Sequence, residues 1–235
     1  MSAAMNFKKC GSVLITGASR GLGLQLVDSL ASGQFSPGKI IATCRNPGNA
    51  QELQELAEKH PNIHIITLDV VNQESIEKSV EEVSKLVQEE GLNCLINNAG
   101  IKVVADFHSV TTEMMIENFH TNTVAPLMIT KVNFIYILCA SCHLLCFESA
   151  TYCQHIPGQI QDTLERLYLS AGLGMPWCSP RQAGGGGLFC LGCCPRDPAP
   201  LSPEDSISFM LSVIGGLTEK DHGSFLNFTG EQIPW

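Results

Sequence analysis

The sequence lacks an excess of positive charge and lacks a long hydrophobic run. Its 235 residues include 14 basic and 23 acidic side chains, for a formal charge of −9. This balance excludes a nucleic acid partner, because binding to phosphates needs a basic face. The charge-free stretch 132–147 has 16 residues, whereas a membrane-spanning helix needs about 20. We therefore expect no nucleic acid and no membrane partner.

We expect no targeting segment, because the first apolar strand begins near Ser12. It contains 11 cysteines, yet it is long enough to bury a core without disulfides. Free thiols in a reducing compartment are the simpler interpretation, so we expect a cytoplasmic protein.

Two Cys-x-x-Cys pairs invite a comparison with zinc sites. They begin at Cys139 and Cys190, and 47 residues separate the two pairs. Structural zinc sites usually place about 12–20 residues between such pairs. We predict no metal site.

Lysine is missing from a third of the chain. Eight of the nine lysines lie within residues 1–131, and none lies in 132–203. That stretch has seven charged residues and eight of the 11 cysteines. Ordinary composition returns near Leu201. We interpret residues 1–235 as one domain that contains an anomalous segment, 132–200.

Strand and helix patterns alternate along the first 131 residues. Short apolar or β-branched runs predict strands at 12–15, 39–44, 63–68 and 92–96, and the intervening segments have helical spacing. This alternation predicts an α/β fold, a Rossmann-like doubly wound parallel sheet. We expect that sheet to be incomplete or disrupted after strand four, with helices near 132–146 and 160–171 at best.

A glycine-rich turn, Thr16–Gly23, follows the first strand and opens the first helix. In its G-x-x-x-G-x-G spacing, Gly17 permits the tight turn, Gly21 lets a pyrophosphate approach, and Gly23 lets the helix pack closely on the sheet. The helix N-terminus would add free N–H groups. The position between strand and helix favours a dinucleotide site over a purely structural turn.

The end of the second strand predicts which dinucleotide binds. An acid there would pair with the ribose of NAD, but the residues are Thr43–Asn46, with no carboxylate. Arg45 and Arg20 would instead hold a 2′-phosphate, which favours NADP(H). The alternative is that Arg45 is an ordinary surface cation. Asp69, after the third strand, either accepts a hydrogen bond from adenine or caps a helix.

Asn97-Asn98-Ala99-Gly100 follows the fourth strand. Together with T-G-x-x-x-G-x-G and Asp69, it resembles the short-chain dehydrogenase/reductase family. The segments 42–47 and 223–235 resemble the sniffer-type carbonyl reductase and C-factor-like branch. The resemblance covers 11–131 and 201–235.

The resemblance implies a set of site residues around a bound cofactor. Asn122 matches a helix-four Asn that holds a water in the family's proton relay, and a buried structural Asn is its alternative. The expected cofactor-binding residues are Gly17, Ser19, Arg20, Gly21, Leu22, Gly23, Arg45, Asp69, Val70, Asn98, Ala99 and Gly100.

The resemblance also implies an activity whose acid is missing. Family members reduce a carbonyl substrate with a hydride from the nicotinamide, and a Tyr-x-x-x-Lys pair on one helix face supplies the proton. No Tyr in this chain has a Lys four residues later. We therefore expect an NADP(H)-dependent oxidoreductase of impaired activity. The alternative is a non-catalytic dinucleotide-binding or interaction protein, as in a defective isoform. A homo-oligomer is an open expectation.

Overall fold

The computed structural model describes nine stretches of the chain, and the fold is given for these. They are residues 10–33, 36–102, 105, 108–137, 143–147, 152–157, 201–217, 221 and 224–232.

Strands and helices alternate along the first half, as the sequence predicts. The strands there are β1 (Ser12–Ile15), β2 (Lys39–Cys44), β3 (Ile63–Thr67) and β4 (Cys94–Asn97). The helices are α1 (Gly21–Ser32), α2 (Gln51–Lys59), α3 (Gln73–Val87), α4 (Thr112–Phe119) and α5 (Ala125–Ile137). A π-helical turn, His120–Val124, joins α4 to α5.

Three further strands and one helix follow. They are β5 (His143–Phe147), β6 (Tyr152–Pro157), helix α6 (Pro203–Gly216) and β7 (Phe225–Asn227). Ser202 caps α6, because its Oγ accepts a hydrogen bond from the backbone N–H of Asp205 at 3.1 Å, and Pro203 occupies the first turn, where its missing N–H costs nothing.

One sheet contains all seven strands, in the order β3-β2-β1-β4-β5-β6-β7. The pairs among β1 to β5 are parallel, whereas β6 is antiparallel to both β5 and β7. The Rossmann-like parallel sheet is therefore confirmed. The departure from a parallel sheet falls after β5, one strand later than expected.

The predicted helix near 132–146 is only partly right. Helix α5 ends at Ile137, and the residues from His143 form β5 in parallel register with β4. A strand at this place gives the backbone groups along β4 a second neighbour, which a helix would not do. The expected helix at 160–171 lies outside the described residues.

Apolar side chains cover both faces of the sheet. Val13 and Ile15 of β1 pack in a cluster with α1 and α6, and Leu14 packs on the opposite face with α3 and α5. This alternation along one strand is what a sheet with helices on both faces requires. The carboxyl ends of β1, β2, β3 and β4 consequently meet along one edge, where ligands bind in such folds.

Candidate active site

The glycine-rich turn takes a backbone shape that needs glycine. Gly17 has φ of 70° and Gly21 has φ of 57°, both in the left-handed region. Arg20 is the N-cap residue of α1 but makes no side-chain cap hydrogen bond. The first N–H groups of α1 therefore face the end of the turn without a cap from that side chain.

The glycine-rich turn has one closely packed side and one open side. A Cβ added at Gly23 would overlap the carbonyl oxygen of Gly17, and one added at Gly17 would lie 2.8 Å from Cα of Ala99. A Cβ added at Gly21 would meet no atom within 4 Å among the described residues. The turn is thus packed against the loop after β4 and open above Gly21. This open cradle at a helix N-terminus fits a pyrophosphate.

Thr16 joins the turn to the loop that follows β4. Its Oγ1 accepts hydrogen bonds from the backbone N–H groups of Asn98 at 3.0 Å and Ala99 at 2.9 Å. In return, Nδ2 of Asn98 donates to the carbonyl oxygens of Thr16 at 2.9 Å and Gly17 at 3.3 Å. This reciprocal pairing holds Asn98 and Ala99 beside the turn. The contact of Asn98, Ala99 and Gly100 with a nicotinamide ribose stays a prediction.

Sequence reasoning did not single out Thr16 as a site residue. Thr16 is 1% exposed. Its hydroxyl oxygen accepts hydrogen bonds from two backbone N–H groups of another segment. The signal that could have found it is a small β-branched hydroxyl residue at the end of a buried strand, directly before the first glycine of the turn.

The end of β2 places a cation beside the turn. The backbone N–H of Ala18 donates to the carbonyl oxygen of Thr43 at 2.9 Å, so the two segments are adjacent. Arg45 and Arg20 are both exposed, and neither forms an ion pair with any residue in the described part of the chain. Burial raises the pKa of the neighbouring Cys44 thiol, so this side chain stays neutral.

Asp69 and Val70 follow β3 and are half-buried. The Asp69 carboxylate accepts a hydrogen bond from the backbone N–H of Val71 at 3.2 Å, and the Asp69 N–H donates to Oγ of Ser75 at 2.9 Å. Asp69 therefore stabilises the turn into α3 with one carboxylate oxygen. Its contact with adenine stays a prediction.

Comparison with known proteins identifies the family. The family profile described as short chain dehydrogenase matches residues 11–138, more than half of the chain. The chain belongs to the short-chain dehydrogenase family.

Two solved structures of this family share the fold across nearly the whole chain. The NADPH-bound carbonyl reductase from chicken fatty liver is 29% identical, with a TM-score of 0.72 over 99% of both chains. The carbonyl reductase Sniffer of Drosophila melanogaster is 28% identical, with a TM-score of 0.74 over 96% of this chain and 100% of that one. An uncharacterized oxidoreductase of Schizosaccharomyces pombe is 33% identical over 120 residues, a match that spans 45% of that relative.

Asn122 occupies the π-helical turn of this short-chain dehydrogenase. Its Oδ1 accepts a hydrogen bond from the backbone N–H of Ile101 at 2.9 Å, and its Nδ2 donates to the carbonyl oxygen of Ile101 at 2.9 Å. The backbone N–H of Ala125 bonds to the carbonyl oxygen of His120, which widens the helix at this point. The side chain thus anchors the chain that follows Gly100, and the predicted relay through Asn122 remains untested.

The short connection between β5 and β6 distinguishes this chain from an ordinary doubly wound sheet. Four residues, 148–151, separate the two strands. A parallel crossover needs a dozen or more residues, usually with a helix, and this connection is shorter than that. The strand β6 consequently pairs antiparallel with β5 and does not continue the parallel pattern.

Two features were searched for in the described residues, a membrane-spanning helix and a metal-binding cluster. Within the described stretches, no helix combines the length and apolar character needed to cross a membrane. The same part of the chain contains no cluster of three or more His, Cys, Asp or Glu that could hold a metal ion.

Proposed function

We propose that the chain binds NADP(H) and reduces a carbonyl group of a small molecule, slowly. The observation that carries the proposal is that two exposed cations, Arg20 and Arg45, lie beside the glycine-rich turn. The open side of this turn is at Gly21. Both arginines offer charge-assisted hydrogen bonds to a 2′-phosphate, and the end of β2 has no carboxylate to repel it. The NADPH-bound state of the chicken carbonyl reductase supports this choice of cofactor.

When bound, the dinucleotide would supply the hydride, and the residues of the chain would hold and orient it. The backbone from Gly17 to Gly23, including Ser19 and Leu22, would hold the pyrophosphate. Asp69 and Val70 would flank the adenine, and Asn98, Ala99 and Gly100 would lie beside the nicotinamide ribose.

Cofactor preference tests the proposal directly. One charge-assisted contact contributes about 1.5–3 kcal/mol, which is about ten- to a hundredfold in affinity. Fluorescence titration should therefore show NADPH binding at least about tenfold more tightly than NADH. Arg45→Asp should remove this preference, and Lys59→Asp, an equal charge change at an exposed site on α2, should keep it. Equal affinity of the unmodified protein for both cofactors would refute the assignment.

Turnover is expected to be low because the chain lacks a tuned acid. No Tyr-x-x-x-Lys pair exists in the sequence, and positioned general acid–base groups contribute about a hundred- to ten-thousandfold. NADPH oxidation with quinones, aldehydes and ketones should run below about 1 s⁻¹, measured on protein whose fold circular dichroism has verified. Faster turnover would contradict this part of the proposal.

A second candidate, from another functional class, is a non-catalytic dinucleotide-binding protein. The direct β5–β6 return favours it, because that connection leaves no room for a helix between these strands. Such a protein would bind NADPH with the same preference and show no turnover. The binding and oxidation assays together separate the two candidates.

Self-association through α4 is a further part of the proposal. Met115, Ile116 and Phe119 are 45%, 62% and 51% exposed, and α4 has no buried residue. Large exposed apolar side chains on one helix are typical of an interaction surface. Sedimentation velocity should show a homo-oligomer that Ile116→Glu dissociates; a monomer at all concentrations would exclude it.

The cytoplasmic location also stays a proposal. Cys10 and Cys44 are buried thiols outside any disulfide, and burial raises the pKa of both. Neutral buried thiols are typical of proteins from reducing compartments.

A further inference from the structure

The segment 45–50 connects β2 to α2, and its first residue is Arg45. The residue before it is held firmly by the sheet. Cys44 is 3% exposed and shares a core cluster with Ala50, and its carbonyl oxygen accepts a hydrogen bond from the backbone N–H of Leu68 at 2.9 Å. The backbone directly before Arg45 therefore has a fixed position.

A side chain of α2 holds the same segment after Arg45. Nε2 of Gln54 donates a hydrogen bond to the carbonyl oxygen of Pro47 at 2.6 Å. Because a carbonyl oxygen can only accept, the amide of Gln54 must present its NH₂ group to Pro47. Pro47 lies two residues after Arg45, so the backbone that bears the guanidinium is restrained on both sides.

The rest of the segment has little packing to restrain it. Asn46, Gly48 and Asn49 are exposed, and a Cβ added at Gly48 would meet no atom of the described residues within 4 Å. The hydrogen bond from the N–H of Asn49 to the carbonyl oxygen of Asn46, at 3.1 Å, lies within the segment and does not join it to α2. The side chain of Gln54 provides that link.

The restraint matters for one class of ligand, a phosphate held by Arg45. A guanidinium binds a phosphate best through two parallel hydrogen bonds, which demand a defined direction of approach. An arginine on a fixed backbone loses less freedom when it makes these bonds than one on a mobile turn. NADH has no 2′-phosphate, so its affinity does not depend on the direction of this side chain.

We propose that Gln54 is a positioning residue that strengthens the preference for NADPH by fixing the segment that bears Arg45, an inference that rests on the proposed function. Gln54 is half-buried and its amide is bound to Pro47, so it acts on the cofactor through the backbone of the segment 45–50. The ligand class is a nucleotide with a 2′-phosphate on its ribose.

Fluorescence titration of the full chain with NADPH and NADH tests the proposal. Gln54→Met keeps the length of the side chain and removes the donor. It should lower the ratio of NADPH affinity to NADH affinity about two- to tenfold, the worth of one hydrogen bond, and leave NADH affinity unchanged. The matched control is Gln51→Met, the same change at an exposed site of α2, which should leave the ratio unchanged.

A double variant shows whether the effect passes through Arg45. In the Arg45→Ala background, Gln54→Met should cause no further fall in the ratio, because the side chain that it positions is gone. If the two changes lower the ratio independently, Gln54 acts without Arg45 and the assignment is wrong.

The remaining outcomes separate this assignment from the proposed function. An unchanged ratio in Gln54→Met, in a protein whose preference depends on Arg45, overturns the role of Gln54 and leaves the proposed function in place. Equal falls in NADPH and NADH affinity also overturn that role, because they indicate general loss of structure. Equal affinity of the unmodified protein for both cofactors overturns the proposed function and this assignment together.

Discussion

Thr16→Val should uncouple the glycine-rich turn from the loop after β4. Valine keeps the shape of threonine but removes Oγ1, which accepts two backbone hydrogen bonds at 3.0 and 2.9 Å. A buried donor left without a partner costs about 1–3 kcal/mol. Asn98 and Ala99 are half-buried, so the lower part of that range applies, and the two donors together should cost about 2–4 kcal/mol.

Urea denaturation measures this loss as a lower midpoint with an unchanged slope. Thr16→Ser is the matched control, because it keeps the hydroxyl and removes one methyl group, at a cost of about 1 kcal/mol. NADPH affinity should fall in Thr16→Val and remain in Thr16→Ser, since the loop beside the nicotinamide ribose loses its anchor only in the former. If the two variants unfold at the same urea concentration, the two-donor role of Thr16 is wrong.

Two further changes test packing at the site and beside it. Gly23→Ala should abolish NADPH binding and destabilise the fold, because the new Cβ would overlap the carbonyl oxygen of Gly17. Gly48→Ala should do neither, because a Cβ there would meet no atom of the described residues within 4 Å. Equal effects of the two changes in thermal melts and NADPH titrations would contradict this. Asn133→Leu should raise the midpoint of thermal unfolding. Asn133 is 2% exposed, its Oδ1 has no hydrogen-bond partner among the described residues, and its Nδ2 donates to the carbonyl oxygen of Ile129 in its own helix. A lower midpoint would show that the amide is needed.

The first half of the fold follows from local sequence signals. The predicted bounds of β1 and β2 agree with the structure residue for residue, because each is a short apolar run that ends at a turn or polar residue. The glycine-rich turn was also predictable, since each of its glycines has its own local reason to be glycine.

The second half depends on information that the local pattern does not contain. The stretch 132–147 is apolar without periodicity, so helix and strand look alike, and the edge of β4 decides that its end is a strand. The π-helical turn at Asn122 and the anchoring role of Thr16 also depend on partners far along the chain, Ile101 and Asn98. The residue type and position of Thr16 could have marked it as a candidate, but the partners of these tertiary hydrogen bonds cannot be read from a single sequence.

The packing of α6 on α1 has a consequence for synthesis on the ribosome. Leu26 and Leu30 of α1 share one core cluster with Ile207 and Ile214 of α6, yet about 170 residues separate the two helices. At roughly 5–20 residues per second, a nascent chain displays that α1 surface for roughly 10–35 s before α6 can cover it. The leucines of α1 therefore stay exposed until α6 has been synthesised, and a chaperone that binds exposed leucine would find its substrate there.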